Sequence, residues 1–194
     1  MLASSFGDLI IGLDLHFELV PTPVPAPAPI PNPFFGMVWD PASVVVGAAI
    51  NGLISAATGA PFKGPVLLWG AFPATNTGTE GKGIPPHFLL PPGVSWAPFP
   101  KVPFPIPGSD PPGTPGNPMK PENDAIVVTG SKTVSVMGSS FARLGDLAMS
   151  CSEPVRLPSS TIIAIPKGAP VTVGGPMSLD LMSAVMASMR TRFV

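Results

Sequence analysis

Hydrophobic and polar residues alternate along much of this chain with the short period of β-structure. From Leu9 to Val20 (LIIGLDLHFELV), Leu13, Leu15, Phe17 and Leu19 fall on one side and Asp14, His16 and Glu18 on the other. That is the pattern of a half-buried strand, with His16 between two carboxylates on its polar side. Between Asn123 and Cys151, two β-branched runs, Ala125 to Thr129 and Thr133 to Met137, flank Gly130-Ser131. A tight hairpin is predicted there, because glycine tolerates the positive φ such turns need. A second turn leads to Arg143-Leu144-Gly145-Asp146, whose arginine and aspartate read as a turn-stabilising pair, and then to Cys151.

The hairpin pattern recurs. Val66-Leu67-Leu68-Trp69-Gly70 aligns with Val134-Ser135-Val136-Met137-Gly138. Pro73-Ala74 then aligns with Phe141-Ala142, and Gly78 with Gly145 after one extra residue. A weaker third copy, Val171-Thr172-Val173-Gly174-Gly175, follows a predicted strand Thr161 to Ile165 and a Lys167-Gly168 turn. Units of this kind stack so that each covers its neighbour's apolar face.

Other stretches break the period. Pro21 to Pro33 (PTPVPAPAPIPNP) is an X-Pro alternation that lacks donors and fixes φ; it predicts an extended strap, anchored by the Phe34 to Trp39 run that follows. Ala42 to Ala57 is apolar but short for a bilayer and carries Asn51, which predicts a buried helix or an interface segment. Ile84 to Glu122 is proline-rich yet holds Trp96, Phe99 and Phe104, the mark of an ordered wrap with its tip over Gly108 to Gly116. From Met177 to Val194 the period becomes helical, with Leu179, Met182, Val185, Met186 and Met189 on one stripe, Ser178 as cap, and Arg190 and Arg192 at the negative end of the dipole. No glycine stop follows, as expected if the natural chain continues into a further domain or if a partner covers the Met stripe; core packing is the plainer account of that stripe.

Composition sharpens this picture. Thirty prolines and 21 glycines accompany 45% hydrophobic and only 11% charged residues, which predicts an ordered, mainly β protein rather than a disordered one. The net charge of −1 shows no clustered basic face for nucleic acid. No basic region precedes the first apolar run, so no signal peptide is expected. Phosphate-loop and Gly-x-Ser-x-Gly patterns fail, and the carboxylates are few and dispersed. The sole cysteine excludes an intramolecular disulfide; it is a buried thiol or a metal ligand. With the two histidines it completes the set of borderline and soft donors: His16 on the first strand, His87 after the first repeat copy and Cys151 after the second. A structural zinc held there would cross-link distant elements. For a fourth ligand, Asn32 is a poor donor, while Asp14, Glu18 or water are alternatives.

Several of these pieces resemble the PAAR repeat, closest to the amino-terminal PAAR-like region of Rhs-type effectors of type VI secretion. They are Asp14-x-His16, Pro31-Asn32-Pro33-Phe34, Pro73 to Glu80, Pro85-Pro86-His87, Gly130 to Val134, Ala142 to Asp146 and Met149-Ser150-Cys151. The resemblance implies a mainly β, conical stack of short hairpins over residues 1–176, including the strap 21–33 and the wrap 84–122, with a C-terminal helix at 177–194. It implies a zinc near the point, held by His16, His87 and Cys151; the family's fourth histidine falls at Asn32. It also implies a non-enzymatic spike tip that caps a trimeric VgrG-type spike and carries a fused or bound toxin, with a chaperone as a further partner. Such a protein would wait in the bacterial cytoplasm and be delivered on firing. Two other readings stand beside it, the tip of a phage-tail-like extracellular injection particle and a zinc-dependent hydrolase.

Overall fold

The structure, a computed structural model, describes residues 1–20, 26–84, 95–97, 123–152 and 155–190. It is mainly β, with antiparallel pairing throughout the described strands. The long strands β1 (Leu9–Val20) and β2 (Ala26–Val38) form one ribbon, followed by α1 (Pro41–Thr58). Next come β3 (Leu67–Leu68), β4 (Phe72–Pro73), β5 (Glu80–Gly83) and β6 (Ser95–Trp96), then β7 (Asp124–Val127) and β8 (Thr129–Ser131). The chain continues through β9 (Ser135–Val136), β10 (Ser139–Ser140), β11 (Leu147–Ser150), β12 (Ser160–Ile163), β13 (Met177–Leu179) and α2 (Leu181–Arg190).

Strands β12, β11, β7, β5, β2 and β1 lie side by side in that order, and β1 pairs back onto β12, so the sheet closes on itself. Closure removes the open edges that such short strands would otherwise expose. The ring has pseudo-three-fold symmetry. Ser4 N–H donates to Ala142 O (3.0 Å), Ala142 N–H to Thr75 O (2.9 Å) and Thr75 N–H to Ser4 O (3.0 Å), a cycle of backbone bonds at one end. Gly7, Gly78 and Gly145 each donate to the end of a strand, at Val38 O, Val127 O and Ile162 O (2.9, 2.8 and 2.9 Å). All three glycines have φ between +84° and +88°, the left-handed region that only glycine enters without strain.

The repeat reading holds with three corrections. First, the predicted hairpin around Gly130-Ser131 does not form: both residues lie in β8, paired with β13. A Cβ on Gly130 would stand 2.9 Å from Phe141 O, so this glycine serves close packing rather than a turn. The hairpin is the next one, β9–β10, turning at Met137-Gly138, and its counterpart β3–β4 turns at Trp69-Gly70. Trp69 and Met137 take matching positive φ of 51° and 52°, as primed hairpin turns require. Second, the extra residue of the first copy is Ala71, inside that turn, which brings Ala74 rather than Pro73 into the position of Phe141: Ala74 N–H donates to Val66 O as Phe141 N–H does to Val134 O. Third, the Val171 copy is completed from the other end of the chain, because Leu2 pairs with Thr172 and Ala3 N–H donates to Val171 O (2.8 Å).

The core follows the symmetry. Ile10, Val38, Val127, Ala148 and Ile162 fill the ring, all fully buried, with Phe6 and Ala142 beneath them. By the same register Ile10, Gly81 and Ala148 are equivalent, and a Cβ on Gly81 would collide with Ile10 Cδ1. One large side chain thus occupies the space of two. Gly81→Ala should cost roughly 1–3 kcal/mol through overpacking. Adding Ile10→Val should restore part of that in denaturant melts, although Ile→Val alone costs about 0.5–1.5 kcal/mol.

Both helices depart from expectation. α1 is capped by Asp40, whose Oδ1 accepts from Ser43 N–H (2.9 Å), and ends at Gly59 with φ 68°. It is not buried: of its residues only Ser43 is, while Val45 and Leu53 are 68% and 73% exposed. Among the described residues it is the one helix long and apolar enough to cross a membrane by length and composition. The C-terminal helix starts at Leu181, not Met177, because Met177–Leu179 pair as a strand with β8. Asp180, not Ser178, caps it, accepting from Ser183 N–H (3.0 Å) and from Thr77 Oγ1 (2.8 Å). Ala184 and Ala187 form its buried stripe against Ile126, Val128 and Met149; Met182 and Met186 point outward. Small residues face in because the helix backbone lies directly on the sheet at Gly78.

Candidate metal centre

The β1–β2 ribbon continues past the closed ring, and its inward face is set by Ile10. With a side-chain period of two, an inward Ile10 carries Asp14, His16 and Glu18 inward as well. They are 1%, 0% and 4% exposed, while Leu13 on the other face is 55% exposed. The half-buried strand is therefore buried on its polar side. That inversion needs a compensating partner, because buried charge is costly unless it is paired or ligated.

Cys151 supplies part of it. It follows β11 and is fully buried. Its Sγ donates to Asp14 Oδ2 at 3.2 Å and lies 3.7 Å from His16 Nε2, which is 3.8 Å from Asp14 Oδ2. These donor atoms, contributed by one strand and by a residue 137 positions later in the chain, all lie within 4.8 Å of one another. Burial pushes the Cys151 thiol well above its ordinary range, the carboxylates of Asp14 and Asp124 add to the push, and Arg156 opposes it. Arg156 is itself held by Asp124 at 2.9 and 3.0 Å.

The donor set fits a divalent ion. Carboxylate, imidazole and thiolate are the ligand types of zinc, and its bond lengths of 2.0–2.3 Å imply tetrahedral edges of about 3.3–3.8 Å. The separations of 3.7 and 3.8 Å are edges of that size, and that of 3.2 Å is slightly shorter. Two anionic ligands would balance a doubly charged ion, leaving the buried site neutral.

Of the residues expected from sequence, the structure brings His16 and Cys151 together. Asn32 stands opposite Asp14 in the β1–β2 register, but its Nδ2 donates to Glu18 Oε1 at 2.9 Å and to Ile30 O at 3.2 Å. It orders the second carboxylate of the strand. His87 lies outside the described residues; it follows His16 by 71 positions (87 − 16), as Gly78 follows Gly7 (78 − 7). Asp14 takes a larger part than its place among several alternatives indicated. The signal was present in the Asp-x-His spacing, which puts both side chains on one face of a strand.

No family model, curated protein or solved structure matches the chain.

Proposed function

We propose that this chain is a PAAR-type spike tip that caps a trimeric VgrG-like spike of a contractile injection system, sharpens it for membrane puncture and carries a fused or bound effector. The observation that carries the reading is the cycle of backbone bonds through Ser4, Thr75 and Ala142. A single polypeptide with three quasi-equivalent hairpin positions matches the symmetry of a homotrimeric partner, whose blunt end presents three equivalent sets of strand groups. The Asp14, His16 and Cys151 cluster lies at the other side of the ring, where the ribbon extends.

In this reading Asp14, His16 and Cys151, with His87 as a further ligand, hold a structural zinc. The ion supplies a cross-link between strands distant in sequence, as a staple for a narrow element with little core. The three residues keep their donors out of water and fix their mutual spacing. Their burial favours a structural over a catalytic ion, since a catalytic zinc keeps an open position for water or substrate. The protein would act without enzymatic activity, from the cytoplasm of the firing cell into a target cell. An extracellular injection particle would use the same cap.

Capture of the purified chain on an immobilised VgrG-like trimer tests the proposal. Leu67→Asp, on strand β3, and Val134→Asp, just before β9 (51% and 37% exposed), should weaken binding at least tenfold with unchanged melting. Full binding by the double variant would refute the docking face.

A further inference from the structure

The pseudo-three-fold repeat gives the outer wall three quasi-equivalent faces, and they are unequally covered. One is the seat of α2: Ala184 and Ala187 are buried against Ile126 and Val128, and Ser183 O lies 2.7 Å from where a Cβ on Gly78 would be. Because Gly78 binds Val127 O as Gly7 binds Val38 O, the repeat maps Gly78 onto Gly7, Ile126 onto Met37 and Val128 onto Trp39. Among the described residues no helix lies across Gly7 at that second face; α1 only edges it with Pro41, Val44 and Val45. Instead there is an open groove of about 430 Å³, walled by Phe6, Met37, Trp39, Val45 and Phe72, with Gly7 in its floor. Trp39 is 51% exposed, and a Cβ on Gly7 would meet only the end of Lys167, at 3.5 Å.

The differences between the two seats define what fits the empty one. On the α2 face, Thr77 Oγ1 donates to Asp180 Oδ2 and Ser139 Oγ pairs with Ser183 Oγ at 3.0 Å. The repeat places Phe6 and Phe72 at those two positions, so the groove offers aromatic contact where α2 finds hydrogen bonds. We propose that this groove receives an α-helix of a partner protein. That helix carries alanine, glycine or serine at i and i+3 to lie against Gly7, with apolar neighbours against Trp39 and Phe72 and no acidic cap. The fold itself supplies the precedent, since it already closes the equivalent surface with a small-residue helix stripe. The groove adjoins the proposed spike face, since Phe72 belongs to hairpin β3–β4, but its test uses the chain alone and so does not depend on the spike.

A helix-stapled synthetic peptide of residues 181–190, which omits Asp180, is a suitable probe for the full chain. Amide spectra should show saturable shifts at Gly7 and Trp39 with Gly78 unmoved, and Val45→Asp, a substitution at a 68% exposed position, should weaken binding at least tenfold without altering the melt. Shifts at Gly78 would mean that the peptide displaces α2, and would overturn the proposal. Unchanged binding by Val45→Asp would do the same, as would equal shifts from phosphatidylcholine vesicles alone or a peptide-independent dimer that hides Gly7.

Discussion

Purified under reducing conditions, the chain should bind one equivalent of zinc, and removing the metal should be its most destabilising single change. Asp14, His16 and Cys151 are buried together, so an apo protein keeps a carboxylate and a thiol in contact with no ion to offset them. A ligand at a thousand times its Kd stabilises by about 4 kcal/mol. We therefore expect a fall in melting temperature of many degrees on chelation, and loss of bound metal with Cys151→Ser or His16→Ala. Cys151→Ser should also abolish the metal-dependent difference in the melt. Metal content by mass spectrometry, with melts before and after chelator, checks both. Stoichiometric zinc retained by a variant carrying both Cys151→Ser and His16→Ala would place the ion elsewhere.

The pH dependence has a definite sign. In the apo protein the folded thiol titrates well above its ordinary range, so the folded state holds its proton where the unfolded chain releases it. Stability from this group is fully present below the unfolded value of about 8.5 and declines as pH rises through the folded one. The apo form should therefore lose stability above that pH. The metal-bound form, already a thiolate, should lack that loss, and zinc affinity should rise with pH because binding expels the proton.

The second large effect is expected at Arg143. This side chain is fully buried, Nε to Asp146 Oδ2 at 3.0 Å, and its Nη1 donates to Gly174 O and Gly175 O at 3.1 and 2.7 Å. It thus ties the second repeat to the turn of the third, where Leu2 and Ala3 pair with Thr172 and Val171. Arg143→Ala leaves Asp146 buried without its guanidinium and should cost about 3–5 kcal/mol. Arg143→Met with Asp146→Asn removes both charges and should cost less than the single change. Denaturant titration of the wild type, Arg143→Met, Asp146→Asn and the double variant measures the coupling, and additive losses would show that the pair acts independently.

Sequence alone determined the mainly β class, the three-copy repeat, the Arg143–Asp146 pair and the candidacy of His16 and Cys151 as metal donors. Those features follow from local alternation, glycine placement and residue chemistry, all of which act over a few positions. Which side of β1 is buried was not legible, because alternation gives a period without a direction. Closure of the ring turned Ile10 inward, and parity then carried Asp14, His16 and Glu18 in with it. Gly130 showed the same limit: a glycine between β-branched runs reads as a turn until Phe141 packs against it. The methionine stripe of α2 had the stronger apolar signal, yet Ala184 and Ala187 face the sheet because only small side chains let a helix backbone rest on Gly78. Contacts between residues remote in the chain made each of these choices, and such contacts leave no mark on the local pattern.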